Sequence, residues 1–372
     1  MNAVGVDNAV WCSCVAYFAM KKLNQEIMFS EYQYQIIQPL VLSARIFGLC
    51  PIVFAKIGKF YEAKYSKVLV LYSYTIVVSI GIGTILGVHA DATCGTCTIR
   101  MRKNKTLFIS ACDIAIVIII ALYGILAIPY RMRTFIKLLD IWTKIDNVIP
   151  ISNHQKYRKK SIVFLLTTLL NFTALFLFDI IFYCFPKGIT ITMRGMVDRS
   201  IFYLKKYTTY YLLYYIIVFQ EIFYWHLISY IHIRMSSLNR NLRKEKQAIS
   251  CLFRKIFTIR QKSTIIVNKI ELKSNESLKF ERNIADRMIE LLTVYGRIRE
   301  SVEIVNSTAS YGVVLLILSC LLHLIVTPYF LLIEIIKARS NMFIGLQALW
   351  LAAHIGRLLI MVEPCQKCLN EV

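Results

Sequence analysis

Residues 207–233 read YTTYYLLYYIIVFQEIFYWHLISYIHI, and RMSSLNRNLRKEK follows at once at 234–246. The first stretch holds no Pro or Gly and one formal charge, Glu221. It exceeds the roughly 20 helical residues that cross a bilayer. The second stretch is strongly basic, and basic connections are retained on the cytoplasmic side. Together they set both a membrane span and its direction, with Ile233 at the inner end.

Working outward, five more apolar stretches lie at 66–88, 106–130, 161–184, 309–335 and 342–362. A chain that is 57% hydrophobic with a mean hydropathy of +0.56 is too apolar for an ordinary globular domain. The apolar windows are rich in Ile, Leu, Phe and Tyr and lack the alternation of barrel strands. The expected fold is all-α: a polytopic transmembrane helix bundle with six spans in this chain.

The formal charge of +22 is concentrated in two connections. Loop 131–160 carries Arg131, Arg133, Lys137, Lys144, Lys156, Arg158, Lys159 and Lys160, and 234–306 is more basic still. Both are placed in the cytoplasm beside anionic lipid, and with six spans the N-terminus and the tail after Val362 lie there too. No groove-reading or stacking module accompanies the charge, so nucleic acid is not an expected partner. The organisation expected is a cytoplasmic region 1–65, spans one to four over 66–233, a cytoplasmic connection 234–306, spans five and six over 307–362, and a cytoplasmic tail 363–372.

Segment 34–55, YQIIQPLVLSARIFGLCPIVFA, is nearly apolar enough to be a further span. Arg45 at its centre would cost at least ~2.5 kcal/mol in mid-bilayer, so a partly buried or interfacial pre-span helix is expected. Were it to cross, the N-terminus would lie outside and the topology would be that of a G-protein-coupled receptor. Segment 234–306 has no Pro, and Gly296 is its single Gly. Ile289, Leu292, Tyr295 and Ile298 recur at helical spacing. Spans four and five are therefore read as helices continuing into the cytoplasm, joined by a polar stretch near Lys273–Asn283.

The eleven cysteines are scattered. Cys94 and Cys97 fall in an outer loop where a disulfide is allowed, and Cys365 and Cys368 fall inside, where thiols stay reduced. Neither pair has further ligands at zinc spacing, so no metal site is expected. The apolar run Ala9–Met20 is short and no basic residue precedes it, unlike a signal peptide. Two glycosylation sequons test the topology: Asn104-Lys-Thr106 in an outer loop, and Asn275-Glu-Ser277 on the cytoplasmic side.

Ionisable groups inside spans are costly and so are candidates for function. They are Asp113, Asp179, Glu221, His226 and His323. Phe172, Phe176, Asp179 and Tyr183 share one helical face, as do Tyr207, Tyr211, Tyr214, Glu221 and Trp225. The candidate ligand-binding set is Asp113, Phe176, Asp179, Tyr183, Tyr211, Tyr214 and Glu221, lining an outward-facing aromatic cavity suited to a small organic molecule. The bland reading is interfacial aromatics and helix-to-helix hydrogen bonds. Arg357, near the inner end of span six, is read as snorkelling to the interface. There is no glycine-rich phosphate loop, HExxH or GxSxG, so neither catalysis nor a cofactor is expected.

Segment Pro39–Phe54, with its ARIFGLCPIVF core, resembles the region before the first span of insect gustatory receptors. Lys67, a Tyr-containing first span, FIKLLDIW at Phe135–Trp142, the long connection between spans four and five, and Glu363-Pro364-Cys365 with Asn370-Glu371 follow in that family's order. The resemblance implies a taste receptor subunit of inverted topology in the plasma membrane of chemosensory neurons. It implies a tetramer of like or unlike subunits around a cation pore, held together by the cytoplasmic helical extensions, and a small tastant bound in the outer half of each subunit. It also implies a seventh, pore-lining span. The chain reaches Val372 about ten residues past span six, so it is expected to be either truncated before that helix or a subunit that forms no conducting pore by itself, and no pore residues are assigned. A G-protein-coupled receptor and a transporter are the alternatives, although the former's Asp-Arg-Tyr and Asn-Pro-x-x-Tyr signatures are missing.

Overall fold

The computed structural model describes residues 28–93, 104–151, 154–184, 193–262, 270–336 and 341–371. A short strand β1 (Met28–Ser30) leads into α1 (Glu31–Ile46) and then a hairpin of β2 (Ile52–Ile57) and β3 (Phe60–Tyr65). The bundle follows as α2 (Lys67–Thr93), α3 (Asn104–Leu126), α4 (Ile128–Asp146), α5 (His154–Cys184), α6 (Met193–Lys262), α7 (Ile270–Ile336) and α8 (Asn341–Leu369). This is a helical, polytopic membrane bundle. Five of the helices are long and apolar enough to cross a bilayer, and the bent pair α3–α4 supplies a sixth crossing if counted as one.

The bend, 55° between Ile114–Leu126 and α4, has a local cause. Pro129 lacks an N–H, and its ring would clash with the carbonyl of Ile125 in a continuous helix. The chain therefore restarts at Ile128, with Pro129 in the first turn of α4. The straight helix of this stretch thus ends at Leu126, within 106–130. The basic segment after it is a buried amphipathic helix, not a loop: Met132, Phe135, Leu138, Leu139 and Trp142 are all inward.

Helix α6 is the axis of the bundle. Two thirds of its apolar window, 67%, is buried inside the protein, against 22–33% for the other crossing helices. Ile216, Ile217, Val218, Phe219 and Ile222 are covered on every side, whereas Leu71, Ile85, Leu170 and Ile325 on peripheral helices face outward, as lipid-facing side chains do. Small residues allow close approach. A Cβ on Gly83 would lie 2.6 Å from Thr209 of α6, and one on Gly124 would lie 2.0 Å from the Gln220 amide.

The stretch read as one pre-span helix over 34–55 divides in two. Helix α1 stops at Ile46, and Gly48 takes φ +70°, which an L side chain rarely adopts. The same glycine lets the backbone sit on α2, since a Cβ there would be 3.0 Å from Ser73 Cα. Gln33, near the start of α1, meets Asp146 at the end of α4, while Phe47 packs against Phe219 of α6 at 4.5 Å between ring centroids. Asp146 in turn binds Arg234, about 22 Å along α6 from Phe219 at 1.5 Å per residue. So α1 climbs along α5, and Phe47 just past its end reaches α6. The chain then turns back through β2, and the antiparallel register Ile52↔Tyr65 to Ile57↔Phe60 closes on a two-residue turn with Gly58 at φ +61°. The segment enters the bundle and returns, and α1 is not among the helices long and apolar enough to cross a bilayer.

Helices α6 and α7 run far beyond their apolar windows, as the sequence pattern implies. Residues 273–283, expected to join them as a polar link, lie within α7; the join falls at 263–269, outside the described residues. The extension of α7 lies on α4. Arg297 donates to the Lys144 carbonyl at 2.8 Å, and Lys137 pairs with Glu300 at 2.9 Å. Leu291, Val294 and Ile298 are buried in that contact, while Ile289, Leu292 and Tyr295 remain exposed on the opposite side. Cys94 and Cys97 lie outside the described residues, as does the side chain of Asn104.

Candidate functional site

Four helices bring polar and aromatic side chains together at the end of the bundle remote from Arg234. Helix α5 contributes Phe176 and Asp179, α6 contributes Tyr211, Tyr214 and Glu221, α7 contributes His323, and α8 contributes Trp350, His354 and Arg357. All nine are buried. Period-3.6 spacing accounts for each face: residues 176 and 179, 211 and 214, or 350, 354 and 357 fall on one side of their own helix.

The Tyr211 hydroxyl donates to Asp179 Oδ2 at 2.5 Å, joining α6 to α5. Phe176 packs beneath them, with its ring centroid 4.6 Å from Tyr211, 6.2 Å from Tyr214 and 5.8 Å from Trp350. The Tyr214 hydroxyl is hydrogen-bonded to His323 Nε2, while His323 Nδ1 meets the Ser319 carbonyl at 2.5 Å. With Nδ1 donating to that carbonyl, Nε2 is placed to accept from Tyr214. The rings of His323 and His354 lie 4.4 Å apart, and His354 stacks on Trp350. Deeper along the same face, Arg357 donates from Nη2 and Nε to Glu221 at 2.6–3.1 Å, with its guanidinium 5.6 Å from the Tyr214 ring centroid. Hydrogen bonds thus join α6 to α5, to α7 and to α8, with ring packing between the links.

A second buried cluster closes the opposite end. Arg234 donates to Asp146 Oδ2 at 2.7 Å, and its guanidinium covers the Tyr230 ring at 3.6 Å and Trp142 at 5.1 Å. Gln33 of α1 donates to the same carboxylate oxygen and accepts from Thr143 at 3.2 Å. Burial foremost, then the Asp146 carboxylate, push the neighbouring Tyr32 phenol above its usual pKa. This end fastens the amino-terminal helix to α4 and α6.

The family model for the 7tm Chemosensory receptor matches residues 37–372, nearly the whole chain. The chain belongs to the 7tm Chemosensory receptor family. It is also similar to "Gustatory receptor for sugar taste 43a" of Drosophila melanogaster, 24% identical over 331 residues that cover 83% of this chain and 75% of that protein.

Of the seven residues singled out in the sequence of this chemosensory receptor, the structure gathers Phe176, Asp179, Tyr211 and Tyr214 into one cluster. Glu221 lies below it on the same stripe, about 10 Å along α6 from Tyr214. The side chains of Asp113 and Tyr183 lie outside the described residues. Arg357 requires a correction: it does not snorkel. It is 1% exposed and clamps Glu221 instead, because a partner inside the bundle outweighs reach to the interface. His354 and Trp350 were not foreseen, although their spacing with Arg357 marks a single polar face of α8. Among the described residues no group of three or more His, Cys, Asp or Glu is placed to hold a metal ion.

Proposed function

We propose that this chemoreceptor is a taste receptor, a subunit of a tastant-gated cation channel in the plasma membrane of chemosensory neurons. In this reading the N-terminus and the 234–306 connection are cytoplasmic, and subunits, alike or unlike, meet through the extensions where Ile289, Leu292 and Tyr295 stand exposed. The receptor uses no cofactor and catalyses no reaction.

The observation that carries the reading is the Tyr211–Asp179 hydrogen bond above the Phe176 ring. A carboxylate, tyrosine hydroxyls and aromatic faces are the groups that bind a polyhydroxylated ring, and the similar Drosophila protein is named for sugar taste. A sugar hydroxyl that replaces Tyr211 at Asp179 would free α6 from α5. Tastant binding then favours one helix arrangement over another, as a ligand must if it is to shift an equilibrium.

The test is whole-cell recording from cells expressing the receptor, challenged with a sugar panel. The expected result is sugar-evoked cation current without accumulation of labelled sugar. Uptake without current would replace this reading with a transporter, and surface staining of a tag at Met1 in intact cells would reverse the orientation.

A further inference from the structure

Arg131 differs from the other arginines buried along α6. Arg234 and Arg357 each hold a carboxylate, whereas the guanidinium of Arg131 has no hydrogen bond or ion pair with any described residue. It is half-buried at the first turns of α4, next to Phe223 and Tyr224. Those residues lie about 15 Å along α6 from Arg234, toward the middle of the bundle. Its electrostatic neighbour is the Tyr123 phenol, and a cation at that depth is costly and gains from an anionic partner.

Arg131 stands between two adjoining spaces. One is a cleft enclosing about 30 Å³ between α4, α6 and α7, bordered by Thr134, Phe135, Leu227, Ile304 and Thr308. The other, about 10 Å³, lies under α1 against Ala44, Leu49 and Gln220. No acidic side chain lines either. The Thr134 and Thr308 hydroxyls already donate to Tyr130 and Ile304 carbonyls, so Arg131 is the donor left facing the cleft. Most of the lining is half-buried, so the cleft opens on the surface of the bundle, and it is too shallow to enclose a drug-sized molecule.

We propose that this cleft is a binding site for an anionic phospholipid of the leaflet on the basic side of the protein. The phosphate pairs with Arg131, and an acyl chain lies along Leu227, Ile304 and Val305. Charge complementarity chooses the occupant: a basic group between membrane helices, on the face where basic loops collect, suits an acidic headgroup. A linear chain also suits a shallow apolar cleft better than a compact ligand does. The leaflet rests on the proposed orientation; the binding itself does not.

The test is native mass spectrometry of the purified receptor with added phosphatidylserine or phosphatidylcholine. The expected result is one phosphatidylserine retained per chain, with phosphatidylcholine retained at least several-fold less. Arg131→Gln is expected to lose that adduct, and Ala309→Trp, which fills the cleft and keeps the charge, to lose it too. Arg240→Gln, beyond the apolar run 207–233 and away from the cleft lining, is expected to keep it. A receptor that retains both lipids equally overturns the proposal, as does an adduct that persists in both cleft variants. Sugar-evoked current is scored separately, so failure of the taste reading leaves this result interpretable.

Discussion

Arg357 of α8 grips both carboxylate oxygens of Glu221 in α6, at 2.6 Å and 3.0 Å to Oε1 and 3.1 Å to Oε2. Both side chains are 1–2% exposed, so neither charge has water to fall back on. Such a pair holds two helices in one register, but it is a poor source of net stability, because desolvation offsets most of the attraction.

The asymmetry gives a first prediction. Glu221→Leu or Arg357→Met alone strands a buried charge and should lower stability by about 3–5 kcal/mol. The double variant leaves no charge behind and should be at least as stable as the native receptor. Melting of the detergent-solubilised protein, followed by fluorescence size-exclusion, measures all three. A double variant as unstable as either single one would contradict the account.

Gln33, Asp146 and Arg234 form the other lock. Removing the Arg234 guanidinium by Arg234→Ala leaves Asp146 buried without its cation and should cost about 3–5 kcal/mol. Gln33→Leu removes the hydrogen bond to the charged Asp146 acceptor, together with those Gln33 accepts from Thr143 and the Ser30 N–H, and should cost at least about 1.5–3 kcal/mol. Hydrogen exchange over 31–46 should quicken in both variants, because α1 is released from α4. Unchanged protection there would show that α1 is held by its apolar face alone.

Gly124 sits where α3 crosses α6. Gly124→Ala places a methyl group 2.0 Å from the Gln220 amide, which is itself 3% exposed and has little room to turn. Overpacking of this kind costs about 1–3 kcal/mol. The pair Gly124→Ala with Gln220→Ala should recover most of the loss in melting temperature. Without recovery, the close approach of these two helices is not what the glycine serves.

The spans were legible because each is a continuous apolar run, and the long extensions because 234–306 keeps its periodicity without a proline. The break after Leu126 was also written in the chain, as Pro129, but apolarity on both sides hid it. The return of the chain after α1 depends on Gly48 approaching Ser73, a tertiary contact that hydropathy cannot see. Phe176, Asp179, Tyr211 and Tyr214 could be proposed because each marks a helical face by itself. His323 of α7 was marked as a costly intramembrane group but not as the partner of Tyr214, and Trp350 and His354 of α8 were passed over, since spacing within one helix does not say which helix lies opposite. Arg357 was misread for that reason: a lone arginine near a helix end suggests snorkelling until Glu221 is found facing it.

The most direct test of the central claim, that Asp179 and Tyr211 sense the tastant, is a sugar dose–response of evoked current in Asp179→Asn and Tyr211→Phe receptors at matched surface density. Each variant removes a partner to the sugar and loosens the α5–α6 bond, so the predicted result is a half-maximal concentration shifted several-fold with surface expression retained. Half-maximal concentrations and maximal currents equal to the native receptor's in both variants would contradict the account.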